Sequence, residues 1–243
     1  MKFLGFDISS SCTGWALIEI TESDGSADNR IIVGPGPYKR SLVEYGQIKP
    51  DPKMGTTQRL YYFGNEIKKV IERCQPNEIQ IEEIIFASGV RTLRVLASFR
   101  GVALFQAFGY QKREVQAYEP PRWKKELNIK GNAKKCEIQL EVCKRFNLLD
   151  EEKIKKYHET IDSYHQQIEL LKPPKKIKRK KGEVVVEKPV ESKADIKKKV
   201  KAFDKLFDQV SININSDCGI SSDIADAIGV TLAGINEFEK HKI

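Results

Sequence analysis

The stretch that decides the fold is residues 2–20, KFLGFDISSSCTGWALIEI. Two short apolar runs, residues 2–8 and 13–20, are separated by the small polar segment SSSCT, which is typical of a β-hairpin. Asp7 interrupts the first run, and a carboxylate in a buried strand is costly unless it is paired or bound to a cation. Asp7 is therefore a candidate cation ligand, and the alternative is that it caps the SSS turn through its own hydrogen bonds.

The elements that follow predict an α/β protein. Residues 41–48 alternate in hydropathy and predict a third strand. Helical patterns then alternate with strands and a last helix closes the chain: helices over 56–75, 90–109, 132–147 and 222–238, and strands over 78–86 and 113–118. A meander followed by β-α-β crossovers predicts a five-stranded mixed sheet, antiparallel and then parallel, with helices on both faces.

One segment, residues 150–207, does not follow this alternation of strands and helices. Two amphipathic or Lys-rich helical patterns, 151–171 and 193–209, flank the tract KKIKRKKGEVVVEK. Residues 151–201 hold 16 basic and 9 acidic side chains, and so account for +7 of the net charge of +8. The sequence therefore predicts an inserted helical hairpin with a basic tip, and such a charge excess favours an anionic partner. The predicted domains are a core (1–149), this insertion (150–207) and a C-terminal helix that completes the core (208–243).

Several classes of protein are excluded by composition. The longest apolar runs are far shorter than the roughly 20 residues that span a bilayer, and the chain starts without a signal-peptide pattern. Five cysteines, an odd number with no C-x-x-C pair, indicate a reducing compartment and argue against zinc. His158 and His165 have no cysteine near them and are expected to be solvated helix residues. We expect an intracellular, cytoplasmic protein without a membrane segment.

Two further pairs of acids stand at the ends of apolar elements. Glu82 and Glu83 break the strand IQIEEIIF, and alternation sends them to opposite faces, so one of them can face a site. Asp223 and Asp226 begin the last helix at an i, i+3 spacing that puts both on one face. The helix dipole alone accounts for Asp223 better than for Asp226, which lies among apolar residues.

Taken together, one strand aspartate, one strand glutamate and the aspartate pair at the start of the last helix point to hard-cation chemistry. Mg²⁺ prefers a few carboxylate oxygens together with waters and substrate phosphate. Two such ions about 4 Å apart can activate a water and stabilise the leaving oxygen in phosphodiester cleavage. Because there is no Cys/His cluster, Mg²⁺ or Mn²⁺ is favoured over zinc.

Three segments, in order, resemble the motifs of the RuvC-type Holliday-junction resolvases, in particular their divergent bacteriophage-type members. They are FDISSSCTGWALIE, IEEIIFASGVRTLRVLASFRGVA and SSDIADAIGVTLAG, and the resemblance covers residues 1–147 and 217–238. It implies an RNase H-like fold, divalent-metal chemistry with two Mg²⁺ ions (Mn²⁺ as a substitute), and a homodimer. The implied activity is the cutting of four-way DNA junctions by paired nicks that leave 5′-phosphate and 3′-hydroxyl ends.

The resemblance also carries over residue roles by motif. The metal-binding acids would be Asp7, Glu82, Asp223 and Asp226. The family's lysines between the second and third motifs match Lys124 and Lys135, with Lys125 and Lys134 close enough to replace them, and the alternative for all four is a solvated basic loop. The other expected DNA contacts are Arg122, Phe86, Lys175, Lys176, Lys178, Arg179, Lys180 and Lys181.

One departure from the family leaves the substrate open. Ile85 stands where the family usually has a phenylalanine that can stack on a junction base, and the aromatic side chain is the next one, Phe86. Base stacking and any inherited sequence preference therefore stay open. Flaps, forks or RNA–DNA hybrids are alternative substrates, and a binding-only descendant is a further alternative. An actin-like ATPase or sugar kinase also begins with a strand Asp and T-G, but it needs a second Gly-rich phosphate loop that this sequence lacks.

The apolar helix predicted over residues 90–109 has two possible roles. It is either part of a dimer interface or part of the hydrophobic core.

Overall fold

One mixed β-sheet organises the chain. The computed structural model describes residues 1–22, 32–33, 38–85, 89–171 and 192–241. Its strands are β1 (Lys2–Asp7), β2 (Thr13–Glu22), β3 (Ile32–Val33), β4 (Tyr38–Ile48), β5 (Glu78–Glu82) and β6 (Gln116–Tyr118), in the order β3-β4-β2-β1-β5-β6. The first four strands pair antiparallel, whereas β5 runs parallel to β1 and β6 parallel to β5. The predicted five-stranded mixed sheet is confirmed, and the two-residue β3 adds a sixth strand at its edge.

Helices cover both faces of this sheet, as expected. They are α1 (Thr56–Cys74), α2 (Val90–Gln111), α3 (Pro120–Glu126), α4 (Lys135–Arg145), α5 (Glu151–Leu171), α6 (Lys193–Cys218) and α7 (Ser222–Lys240). On one face α1 meets α2 through Phe63 and Phe99, whose ring centroids are 4.9 Å apart. On the other face α7 lies across β1 and β2 and is flanked by α3 and α4.

Two glycines let α7 approach the sheet closely. A Cβ atom on Gly14 would lie 1.9 Å from the backbone oxygen of Asp223, and one on Gly5 would lie 2.1 Å from Oγ1 of Thr231. Thr231 Oγ1 donates within α7 to the backbone oxygen of Ala227, at 2.7 Å. Gly14 pairs with Asp7 across the hairpin. The first turn of α7 is thus held at the end of β1, even though more than 200 residues separate the two elements.

Three predicted boundaries are wrong. β5 ends at Glu82 instead of residue 86. Pro120 and Pro121 do not simply end a strand but form the first turn of α3, where a missing backbone N–H removes no helical hydrogen bond. Helix α2 continues past Gly109 to Gln111, and Lys112 closes it in the left-handed conformation.

Helix α6 is also longer than predicted, since it ends at Cys218 instead of residue 209. Phe207, Val210 and Ile214 are all buried, so the apolar stripe that packs on the core continues past the predicted end. Gly219, with φ of 75°, terminates the helix. Helix α6 therefore crosses the predicted boundary between residues 207 and 208.

The insertion is docked on the core at its base. Helices α5 and α6 both pack against α4 of the core. Within the insertion, Tyr164 of α5 packs edge-on against Phe207 of α6, with ring centroids 5.6 Å apart. The basic tip predicted between these helices falls in residues 172–191, outside the described residues. Within the described ranges no single helix is long and apolar enough to cross a membrane. Helices α6 and α7 together reach the required length and apolar composition, but the pair is bent by 77°.

Candidate active site

Four acidic side chains meet where β1 and β5 end. Asp7 is the last residue of β1, and Glu82 is the last residue of the parallel neighbour β5. Asp223 and Asp226 stand on the first turns of α7, which is pressed against this end of the hairpin. The structure thus brings together all four acids that the motifs singled out.

The four carboxyl groups repel one another in a poorly solvated place. Asp7 is 9% exposed, and its pKa lies well above its usual range because of burial first and then the neighbouring Glu82. The pKa of Asp226 is raised to about 7 by burial and by the charge of Glu82. Its Oδ1 atom is buried without a hydrogen-bond partner among the described residues. Burial and neighbouring carboxylates thus favour the protonated forms of Asp7 and Asp226, and a bound cation would stabilise their charged forms instead.

This donor set fits a hard divalent cation. Carboxylate oxygens are the ligands that such ions prefer, and the uncompensated Oδ1 of Asp226 is available to one. In the described part of the chain, no three His, Cys, Asp or Glu side chains already stand together at coordination distances. The structure therefore shows a cluster of suitable charge and chemistry, and not a preformed coordination sphere.

Trp123 positions Glu82, a contact that the sequence analysis missed. Its indole Nε1 donates a hydrogen bond to Oε1 of Glu82 at 2.9 Å. The Trp123 ring is 1% exposed and lies against Gly229 of α7, where a Cβ atom would come within 2.5 Å of it. A buried indole N–H needs an acceptor, so the tryptophan after Pro120-Pro121 was a signal that could have been used.

The start of α7 is positioned by a second set of polar contacts. Gln47 Nε2 donates to Oγ of Ser221 at 2.6 Å and to Oδ2 of Asp223 at 3.1 Å. Ser221 also caps the helix by accepting from the backbone N–H of Ile224. Burial and then the Asp223 carboxylate raise the pKa of the Cys12 thiol to about 12, so this thiol stays protonated.

The adjacent glutamates have separate environments. Glu82 faces Asp7 and Trp123, whereas the Glu83 carboxylate accepts from a guanidinium nitrogen of Arg100 at 2.7 Å. The alternation expected from strand geometry is present. Glu82 is the glutamate that joins the acidic cluster.

The candidate lysines differ in whether they lie near the acidic cluster. Lys124 and Lys135 both lie near enough to Asp226 to oppose the rise of its pKa. Lys124 Nζ donates to the backbone oxygen of Gly131 at 3.2 Å. Lys134 instead pairs with Asp204 of α6 at 2.7 Å, away from the acids.

Of the remaining expected DNA contacts, the structure describes Lys125 and Arg122. Lys125 is exposed on α3. Arg122 forms an ion pair with Glu237 and lies over the ring of Tyr118, 4.9 Å from its centroid. The other predicted contacts lie outside the described residues: Phe86, Lys175, Lys176, Lys178, Arg179, Lys180 and Lys181.

A mixed sheet whose neighbouring central strands each end in a carboxylate, with two further carboxylates on the helix packed across them, defines a metal-dependent nuclease of the RNase H-like class. Comparison with protein families gives the narrower assignment. The family model described as "Crossover junction endodeoxyribonuclease RuvC" matches residues 3–161, and the chain belongs to this family. Membership implies dependence on a divalent metal. The match ends inside α5, so Asp223 and Asp226 of α7 lie outside the matched segment in sequence. In the folded chain they lie beside Asp7 and Glu82, which are inside it.

Individual relatives support the assignment. The chain is 34% identical to the crossover junction endodeoxyribonuclease RuvC of Alkaliphilus metalliredigens (strain QYMF) over 101 residues, which are 42% of this chain and 61% of the relative. It is 30% identical to that of Wolbachia sp. subsp. Drosophila simulans (strain wRi) over 138 residues, 57% of this chain and 76% of the relative. The structure also superimposes on the solved structure "T. thermophilus RuvC in complex with Holliday junction substrate" with a TM-score of 0.56 at 14% identity. The superposition includes 99% of this chain and 96% of the solved chain, and it confirms the fold.

Proposed function

We propose that this chain resolves four-way DNA junctions by paired nicks that leave 5′-phosphate and 3′-hydroxyl ends. The observation that carries the proposal is the cluster of four carboxylates at the ends of β1 and β5, in a chain of the RuvC family. Phosphodiester cleavage builds up negative charge on the attacking and leaving oxygens, and cations held by such a cluster would stabilise that charge.

Asp7, Glu82, Asp223 and Asp226 would hold the cation, for which we propose two Mg²⁺ ions with Mn²⁺ as a substitute. When bound, these ions would lower the pKa of an attacking water and neutralise charge on the leaving oxygen. Trp123 keeps the Glu82 carboxylate in one orientation through its N–H donor.

Of the candidate lysines, Lys135 and Lys124 are proposed to neutralise the attacked phosphate, because both lie close to Asp226. Lys134 offers a matched control, since it is next in sequence to Lys135 but pairs with Asp204. Lys135→Ala should slow cleavage by at least tenfold with little loss of junction binding. Lys134→Ala should change the cleavage rate much less, and equal losses in both variants would contradict the assignment.

The insertion is proposed to bind the phosphate backbone of the DNA. In its described part, Lys197, Lys201 and Lys205 follow one another at four-residue intervals on α6, and all three are exposed. Replacing residues 173–191 with a Gly-Ser linker of equal length leaves the Ser192 cap of α6 in place. It should weaken junction binding and flatten its salt dependence, by about 0.9 in log–log slope for each phosphate that the variant no longer neutralises. An unchanged slope would show that this tract does not contact DNA.

A homodimer is proposed because paired nicks need two active sites. Helix α2 exposes Val90, Phe105 and Phe108 at 58%, 76% and 52%, and exposed apolar surface of this kind is typical of protein interfaces. Phe105→Glu should therefore give a monomer by light scattering that keeps its circular dichroism spectrum. A wild-type chain that is monomeric at micromolar concentration would contradict this part of the proposal.

The substrate is tested by comparing DNA structures directly. A mobile four-way junction, a flap, a fork and an RNA–DNA hybrid should be incubated with the chain and Mg²⁺, and every strand mapped. We expect symmetric nicks on opposite strands of the junction, with ends that DNA ligase can seal. Faster cleavage of the flap, fork or hybrid would favour an RNase H-like nuclease with another substrate.

A further inference from the structure

Two cysteines that are far apart in sequence meet outside the acidic cluster. Cys143 lies on α4, Cys218 is the last residue of α6, and their Sγ atoms are 2.9 Å apart although 75 residues separate them in the chain. Both are free thiols. A disulfide bond is about 2.0 Å long, so the pair needs little movement to form one.

The pair stands at the base of the insertion. The chain leaves the core after α4, runs through α5 and α6, and returns at Gly219 just before α7. A bond between Cys143 and Cys218 would close one loop around the whole insertion. The same place is already held by weaker contacts, since Gln139 Nε2 donates to the backbone oxygen of Ile220 at 2.7 Å and Tyr157 donates to Asp217 at 2.8 Å.

The two thiols differ in a way that suits stepwise oxidation. Cys143 is fully buried, whereas Cys218 is partly exposed and can be reached by a small oxidant. The hydrogen bond from Cys143 lowers the pKa of Cys218, and the same contact together with burial raises the pKa of Cys143. The accessible thiol is therefore the one that ionises first, and a thiolate is the attacking form.

We propose that Cys143 and Cys218 are a redox modification site at which a small disulfide oxidant, such as oxidised glutathione, forms an intramolecular disulfide that fastens the insertion to the core. The Cys218 thiolate attacks the oxidant and releases one glutathione thiolate, which leaves a mixed disulfide. Cys143 then attacks the Cys218 sulfur and releases the second glutathione. The two thiol protons pass to the two leaving thiolates, and the oxidant takes up both electrons.

The bond has a measurable consequence that does not depend on nuclease activity. It restricts the unfolded chain over a long loop, so oxidation should raise Tm by roughly 5–15 °C. Reduced glutathione reverses the exchange, so the bond opens again in a reducing compartment.

The test uses the full chain equilibrated with mixtures of oxidised and reduced glutathione. Intact mass and non-reducing peptide maps should show a Cys143–Cys218 linkage without bound glutathione, a higher Tm, and reversal of both by dithiothreitol. Cys143→Ser and Cys218→Ser should each abolish the linkage and the shift in Tm. Cys74→Ser removes a buried cysteine elsewhere and should keep both.

The outcomes against the proposal are equally definite. Glutathione that stays on Cys218, a linkage through Cys12, or five thiols that still titrate after oxidation would each overturn it. If either serine variant does not fold, the peptide map of the wild-type chain decides the question alone. Junction cleavage measured in dithiothreitol reports on the nuclease separately, so either result leaves the proposed function to its own test.

Discussion

Removing the charge of Asp226 should make the metal-free protein more stable while it ends catalysis. Burial and the Glu82 carboxylate raise the pKa of Asp226 to about 7 in the folded chain, from the ordinary value of 3.8 that we expect in the unfolded chain. The folded state thus binds this proton more tightly than the unfolded state does. The stability that results is fully present below about pH 4 and is lost as pH rises through 7.

The magnitude follows from the size of this shift. About three pKa units at 1.36 kcal/mol each correspond to roughly 4 kcal/mol lost between low pH and pH 8. Asp226 is not fully enclosed, and solvent screening at its outer oxygen reduces this figure. We therefore expect Asp226→Asn, which keeps the shape and removes the charge, to raise the free energy of unfolding by about 2–4 kcal/mol at pH 8.

The assay is urea unfolding in EDTA at pH 5 and pH 8. The wild-type chain should be less stable at pH 8, and Asp226→Asn should show a much smaller difference between the two pH values. Asp204→Asn, on the surface of α6, serves as the control and should change stability by less than about 1 kcal/mol. Replacing EDTA with Mg²⁺ should stabilise the wild-type chain at pH 8 more than the variant. An Asp226→Asn chain that is less stable than wild type at pH 8 would refute the repulsion on which this reasoning rests.

Three further comparisons of variants test the arrangement around the acids. Trp123→Phe removes the donor to Glu82 and should slow junction cleavage roughly 10- to 100-fold at unchanged junction affinity; a full rate would contradict the positioning role. Gly14→Ala places a methyl group against the backbone of α7 and should cost about 1–3 kcal/mol in urea unfolding. Gly109→Ala, in open space on α2, should be neutral or stabilising by up to about 1 kcal/mol, and equal effects would exclude the steric reason. Glu83→Gln should keep most cleavage activity in the same rate assay in which Glu82→Gln loses it, and the reverse order would contradict the assignment of Glu82.

The sequence of strands and helices along the chain and the positions of the acids were accessible from sequence because each is a local signal. A charged residue such as Asp7 or Glu82 within an apolar run is visible without knowledge of its neighbours, and so is the i, i+3 spacing of Asp223 and Asp226. The alternation rule also separated Glu82 from its neighbour in sequence, although it could not say which of the two faces the cluster.

What the sequence did not reveal depends on contacts between distant segments. Trp123 meets Glu82 from 41 residues away, and Cys143 meets Cys218 from 75 residues away, so no local pattern identifies the partner of either residue. Helix α6 extends to Cys218 because it is buried against α4. This burial overrides the weak helical propensity of the segment SININS. Pro120 and Pro121 are equally compatible with the end of a strand and with the first turn of a helix, and only the packing of Trp123 shows that they start α3.

The central claim is that the carboxylate cluster performs cation-dependent cleavage of branched DNA. The most direct measurement compares wild type with Asp7→Asn on one synthetic four-way junction, following binding by gel shift and nicking on all four strands with Mg²⁺. The account predicts that Asp7→Asn binds the junction as well as wild type does and produces no nicks. Normal nicking by Asp7→Asn would contradict it.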